Sequence, residues 1–227
     1  MTDSQIFNII AGVVVSYLIG SFSSAVWIGK WFFNTDVRLH GSGNAGATNT
    51  IRVLGPKVGL AVLLLDVFKG WLAVSLVHLF VEQTPEPGWS YIRLGFAVAV
   101  VLGHILPIYT GFKGGKGVAT LLGICIALFP LSVVGVAIWF FVILFAFGYV
   151  SLSSVTSALL FPVFALLIFP SETQSLPLVL LSIGIAIMVP ATHHKNIKRL
   201  LNGTEQKFKL KKSVSESAEN LKNKKQH

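Results

Sequence analysis

Between residues 111 and 120 the chain reads Gly-Phe-Lys-Gly-Gly-Lys-Gly-Val-Ala-Thr, so two lysines stand among four glycines just ahead of an apolar run that begins at Val118. Glycines let successive backbone N–H groups turn toward one ligand, a following helix adds its positive N-terminal end, and lysines supply full charges for phosphate oxygens. The chemistry this spacing suits is anion binding. Nucleotide hydrolysis is not indicated, because a Walker A loop requires Gly-Lys followed by Ser or Thr, and here Gly117 and Val118 follow Lys116. Glycine and lysine are also common at the ends of membrane helices, so the loop alone fits a cytoplasmic turn as well.

Four further clusters carry groups of the same kind. The run Gly41-Ser-Gly-Asn-Ala-Gly-Ala-Thr-Asn49, followed by Arg52, offers hydroxyls, amides and open backbone, which suits a compact polar substrate better than a linker. Asp66 and Lys69 lie three apart, on one face of an otherwise apolar helix, and His104 ends another apolar run. A lone charge in such a helix costs about 2.5 to 3.5 kcal/mol, so Asp66 and Lys69 must be paired or face a polar cavity. Tyr149-Val-Ser151-Leu-Ser153-Ser154 and His193-His194-Lys195-Asn196-Ile-Lys198-Arg199 complete the set. Each has a plain structural reading, since hydroxyls satisfy backbone groups and bases anchor the last helix. Their convergence on one face is what favours a site.

The elements that must position these groups are membrane helices. Among 227 residues, 53% are hydrophobic and only 12% charged, too apolar for a soluble domain. Apolar runs fall at about 5–28, 58–81, 92–109, 118–131, 133–150, 154–170 and 175–192, most of them near the 17 to 25 residues that a crossing takes. The expectation is an all-α integral membrane protein of about seven transmembrane helices, the fourth short. Its rival has six crossings and a re-entrant piece at 118–131. No cleavable signal is evident, so the first run is read as the first membrane helix. Cys125, the single cysteine, is read as a packing residue.

Sixteen of the 18 Lys and Arg residues fall in the loops after the first and third runs and beyond the seventh. The positive-inside rule then predicts the N-terminus outside and the C-terminus in the cytoplasm, with five polar clusters at the one cytoplasmic interface. The net charge of +9 is therefore a topology signal first, and nucleic-acid binding is a poor reading, since the bases fall on one membrane face and no recognition motif is present. Residues 1–201 form the membrane domain, and 202–227, with seven lysines, are expected to be a disordered cytoplasmic tail.

Taken in order, Gly41-Ser-Gly-Asn-Ala-Gly-Ala-Thr-Asn49, Asp66-x-x-Lys69-Gly70, Gly103-His104, Phe112-Lys-Gly-Gly-Lys-Gly-Val-Ala-Thr120 and His193-x-x-Asn196-Ile-x-Arg199-Leu200 resemble the bacterial membrane glycerol-3-phosphate acyltransferases that take acyl phosphate as donor. The resemblance runs from the first helix to about Glu205. It departs at Ala45, where many relatives have proline. It implies a seven-helix, multi-pass enzyme of the bacterial inner membrane with its active site on the cytoplasmic side, making 1-acyl-glycerol 3-phosphate for phospholipid synthesis. By resemblance, Arg52, Lys113, His193 and Asn196 hold glycerol 3-phosphate, while Ser42, Asn44 and Thr48 orient the reacting groups. Gly114, Gly115 and Gly117 with Lys116 hold a phosphate, and Ser151 and Ser154 touch the acyl phosphate head. Asn49, Lys69, His104 and Thr120 join the substrate-binding set. The implied partners are glycerol 3-phosphate, acyl phosphate, membrane lipids and the enzyme that forms the acyl phosphate.

The residue inventory suits that chemistry. An acyl phosphate is a mixed anhydride, so a positioned alcohol can attack it without an enzyme nucleophile, and the protein supplies positioning and charge stabilisation. There is no Gly-x-Ser-x-Gly elbow, and no histidine has an aspartate five positions on. Those absences speak against a coenzyme A or carrier-protein acyltransferase of the His-Asp kind. His193 is the one tempting base, yet among lysines and an arginine it suits a phosphate donor, and a substrate phosphate oxygen can take the proton instead. No metal and no cofactor are called for. A carrier of organic phosphate would show similar bases, but its site would sit at mid-membrane between related halves, which this sequence lacks.

Overall fold

The computed structural model describes residues 2–208, and among these the ordered elements are all helical. In chain order the α-helices are α1 (Asp3–Ser21), α2 (Ser24–Phe33), α3 (Ala47–Leu54), α4 (Pro56–Ser75), α5 (Val77–Phe80), α6 (Gly88–Ile105), α7 (Val118–Leu128), α8 (Pro130–Phe147), α9 (Val150–Val163), α10 (Leu176–Thr192) and α11 (His194–Leu201). The seven apolar runs correspond to α1, α4, α6, α7, α8, α9 and α10. The protein is an all-helical membrane protein. Local sequence accounts for many of the boundaries. Thr2 and Gln5 form a capping box at the start of α1, and Pro56 and Pro130 open α4 and α8, where a missing N–H costs nothing.

Five helical stretches are long and apolar enough to cross a membrane, or six if α10 and α11, which meet at 61°, form one span. The fourth run gives only α7, whose 11 residues rise about 16 Å against a hydrocarbon core of about 30 Å. Its ends nevertheless belong to opposite ends of the bundle. The N-terminus follows the glycine loop, whereas at the other end the chain turns at Phe129 into α8, whose Leu131 and Ser132 amides donate to Glu172 at 2.7 and 3.0 Å. Glu172 lies in the α9–α10 connection. Arg93, near the start of α6, reaches the Ala127 carbonyl at 3.5 Å and so serves the C-terminal end of α7.

The first run does not remain one helix. Phe22 and Ser23 leave helical geometry, and the carbonyl freed at Phe22 accepts from Lys69 Nζ at 2.9 Å. The tightest packing brings backbones together: a Cβ at Gly70 would run into the Thr120 carbonyl, and one at Gly123 into that of Val67, so α4 and α7 touch almost without side chains between them. This fixes the start of α7. The main apolar core draws residues from α4, α6, α7, α9 and α10, with Phe129 among the largest fully buried side chains.

The two polar loops are stapled to each other by Arg38. Its guanidinium donates to the Thr110 carbonyl at 2.7 Å and the Lys113 carbonyl at 3.2 Å, and pairs with Asp36 at 2.7 Å. Arg38 in turn holds the Asp36 carboxyl down at about 2, chiefly through its side-chain hydrogen bonds. The stretch that precedes Ser42 is thus tied to the stretch that precedes Lys116.

Candidate active site

At that end of the bundle lies a cavity of about 350 Å³, polar at its mouth and apolar within. The loop before α3 contributes Ser42 and Asn44, and α3 contributes Thr48, Asn49 and Arg52. Asn49 shapes this wall, because its side-chain oxygen accepts the Ser42 amide at 2.7 Å while its nitrogen donates to the carbonyls of Val37 at 2.8 Å and His40 at 3.1 Å. Gly41 and Gly43 take left-handed φ values of 61° and 72° at the turn. Lys116 and Gly117 enter from the glycine loop, Ser151 and Ser154 from the first turn of α9, and His193 and Asn196 from the α10–α11 bend.

The electrostatics of the mouth favour an anion, and the chain places one there. Glu205, in the segment after α11, accepts from Ser151 Oγ at 2.8 Å, Asn196 Nδ2 at 2.7 Å and Arg199 Nε at 2.6 Å. Burial pushes its carboxyl up, but the bonds from Asn196, Arg199 and Ser151 outweigh that and leave it below the ordinary value. Lys116 Nζ donates to the other end of the same amide, Asn196 Oδ1. Burial lowers Lys116 to about 8, with Glu205 opposing the shift. His193 Nδ1 lies 2.8 Å from the Val189 carbonyl, which assigns its proton to Nδ1 and leaves Nε2 of the neutral ring as an acceptor.

Beneath the mouth the walls turn apolar. Leu121, Leu122 and Cys125 of α7, Val136, Phe140 and Phe141 of α8, Ala158 and Phe161 of α9 and Ile185 of α10 continue the same cavity. An anion-binding rim joined to a hydrocarbon-lined pocket suits an amphiphile with an acidic head.

A family model described as glycerol-3-phosphate acyltransferase matches residues 10–203. The chain belongs to that family. The glycerol-3-phosphate acyltransferase of Enterococcus faecalis is 42% identical over 206 residues, spanning 88% of this chain and 92% of the relative. That of Staphylococcus saprophyticus is 40% identical over 203 residues, spanning 88% and 98%. Among solved structures, PlsY (YgiH), described as an integral membrane glycerol 3-phosphate acyltransferase, matches in its glycerol 3-phosphate form with a TM-score of 0.78 and 33% identity, covering 88% of this chain and 96% of that one. Its lysophosphatidic acid form matches at 0.75 and 32%, covering 89% and 96%.

Within this glycerol-3-phosphate acyltransferase fold, several residues expected at the site stand elsewhere. Lys113 is exposed and outside the cavity wall; its backbone carbonyl serves Arg38. Gly114 and Gly115 do not offer their amides to a ligand, because these donate to the carbonyls of Ile105 at 3.2 Å and His104 at 3.1 Å. Their missing side chains instead let the loop lie against the end of α6, where a Cβ at Gly115 would strike the His104 ring. Lys69 is buried with Asp66 at 2.8 Å and the Phe22 carbonyl, and Thr120 is buried in the α4–α7 contact. Both are off the cavity wall. His104 does line it, beside Asp66, with Nδ1 3.8 Å from the Asp66 carboxylate.

The chain just beyond residue 201, expected to begin the tail, is held against the helices through residue 208. Glu205 is held by three side chains, Gln206 offers its carbonyl to Arg52 at 3.4 Å, Lys207 lies over the Tyr149 ring and the Phe208 amide donates to the Gly148 carbonyl at 2.7 Å. Residues 202–208 therefore cross the cavity mouth, and the disordered-tail expectation for the rest, 209–227, lies outside the described residues. Glu205 and Arg38, which tie together the segments around the cavity, are the residues that motif reading passed over. For Glu205 there was a signal, since it is the only carboxylate between Glu172 and Glu216, amid a run of bases.

Proposed function

We propose that this protein transfers a fatty acyl group from acyl phosphate to the sn-1 hydroxyl of glycerol 3-phosphate, releasing phosphate and 1-acyl-glycerol 3-phosphate. The observation that carries the reading is the continuity of a rim holding Arg52, Lys116, Asn196 and Arg199 around one carboxylate with an apolar pocket. The names of the relatives and of the solved structures supply the acceptor. The donor is inferred from chemistry: the attack needs no enzyme nucleophile when the leaving group is phosphate.

In this reading Arg52 and Lys116, with the amides that open α7, bind phosphate oxygens through charge-assisted hydrogen bonds. Ser42, Asn44 and Thr48 set the acceptor beside the acyl carbon, and Ser151 and Ser154 face the donor head. The new bond joins the acceptor oxygen to the acyl carbon, the carbon–oxygen bond to phosphate breaks, and the proton passes to a phosphate oxygen of the substrates. His193 Nε2 accepts a hydrogen bond from the glycerol hydroxyl and orients it. Cationic side chains stabilise the developing charge, so no metal is required. The acyl chain lies in the apolar pocket. The work belongs at the cytoplasmic face of the bacterial inner membrane, and an enzyme that forms acyl phosphate is the expected supplier.

The test is turnover of purified protein with acyl phosphate and glycerol 3-phosphate in chelator, with the product's acyl position read by NMR. The 1-acyl product should form at an undiminished rate. Loss of activity in chelator with rescue by magnesium, or acylation at the second hydroxyl, would contradict the mechanism.

A further inference from the structure

The apolar pocket has a floor, and three helices place it at a similar depth. On α7 the lining runs inward from Gly117 to Cys125 and on α10 from His193 back to Ile185, each about 12 Å of helix rise. On α9 it runs from Ser151 to Phe161, about 15 Å. Below that level the core is closed. Phe161 is buried and meets the fully buried Phe129 edge to face, with ring centres 5.3 Å apart, while Leu128, Ala165 and Leu181 fill the space around them.

We propose that Phe161, seated on Phe129, sets the longest acyl chain that the donor can carry, by meeting the chain's methyl end. The inference rests on the reading that the acyl chain occupies the pocket. Ala158 stands three residues before Phe161 on the same face of α9 and also lines the pocket, so its small side chain leaves the last stretch above the floor open. Each methylene that finds apolar cover is worth about fourfold in binding, whereas one forced against a packed ring gains nothing. A floor of this kind therefore gives a chain-length optimum with a sharp upper edge. The rival path for a long chain is sideways between α7 and α8, where the lining residues Phe141 and Leu122 are themselves partly exposed.

The experiment uses a series of saturated acyl phosphates of increasing length, with kcat/KM measured for each on the full-length purified protein. Phe161→Ala should move the optimum to longer chains, and Ala158→Leu should move it to shorter ones. The ratio of kcat/KM for the longest to the shortest donor should shift by about tenfold or more in opposite directions, the equivalent of two methylenes. If Phe161→Ala does not accumulate, Phe161→Leu and Ala158→Leu decide the matter. An unchanged ranking in folded variants overturns the assignment and points to lateral exit of the chain. A wild-type protein inert toward every member of the series overturns the acyl-phosphate reading itself, and this assignment with it.

Discussion

Arg52 and Lys116 differ from Lys113 in one respect that decides their chemistry: they reach the cavity and Lys113 does not. A charge-assisted hydrogen bond to phosphate is worth about 1.5 to 3 kcal/mol, so Arg52→Ala or Lys116→Ala should lower kcat/KM roughly 10- to 150-fold. Lys113→Ala, at an exposed site, should cost less than about fivefold. Steady-state kinetics on the three variants checks this, and a Lys113 defect as large as that at Lys116 would mean that the loop rearranges to bring both lysines in. Lys116 also gives a pH dependence. Burial puts it at about 8, so it is cationic below that pH and neutral above, and kcat/KM should fall as pH rises through about 8. Lys116→Arg keeps its charge, so the alkaline fall should move upward; a profile identical to wild type would show that another group titrates. The glycine loop with its two lysines stood out in the sequence, but which lysine faces the cavity did not. Spacing within a glycine loop does not say which amides are taken by neighbouring carbonyls.

Among the helices, α7 carries the strictest requirement, because its first turn meets α4 backbone to backbone. Gly70→Ala should push Thr120 away, lower the melting temperature in detergent by an overpacking cost of about 1 to 3 kcal/mol, and reduce activity by displacing Gly117 and Lys116. Gly184→Ala on α10, where a Cβ meets nothing, should be tolerated. Equal stability in the two variants would remove the argument for the α4–α7 contact. The segment after α11 makes a second demand. Ending the chain at Phe208 should leave activity near wild type, whereas ending it at Asn202 strips Ser151, Asn196 and Arg199 of their shared carboxylate and should cost at least about tenfold. All seven apolar helices could be read from hydropathy, with the shortness of α7 included. The break at Phe22–Ser23 and the strap at 202–208 could not, because both depend on partners remote in sequence, Lys69 for one and Ser151 and Arg52 for the other.

For the molecule as a whole, function depends on which face of the bilayer the charged rim meets. The basic loops predict the cytoplasm. In a Cys125→Ser background, Lys198→Cys should react with an impermeant thiol reagent only from the cytoplasmic side and Glu86→Cys only from the outside; the reverse pattern would sink both orientation and site placement. The separation of a charged end from an apolar interior was visible in the sequence because charge and hydropathy are one-dimensional signals. The closure of the pocket at Phe161 and Phe129 was not, since it arises from the packing of separate helices at one level. The most direct test of the account is simultaneous measurement of phosphate release and acyl-glycerol phosphate formation by purified protein supplied with glycerol 3-phosphate and either acyl phosphate or acyl coenzyme A. The account predicts equal amounts of the two products with acyl phosphate and none with acyl coenzyme A. Turnover with acyl coenzyme A alone would contradict it.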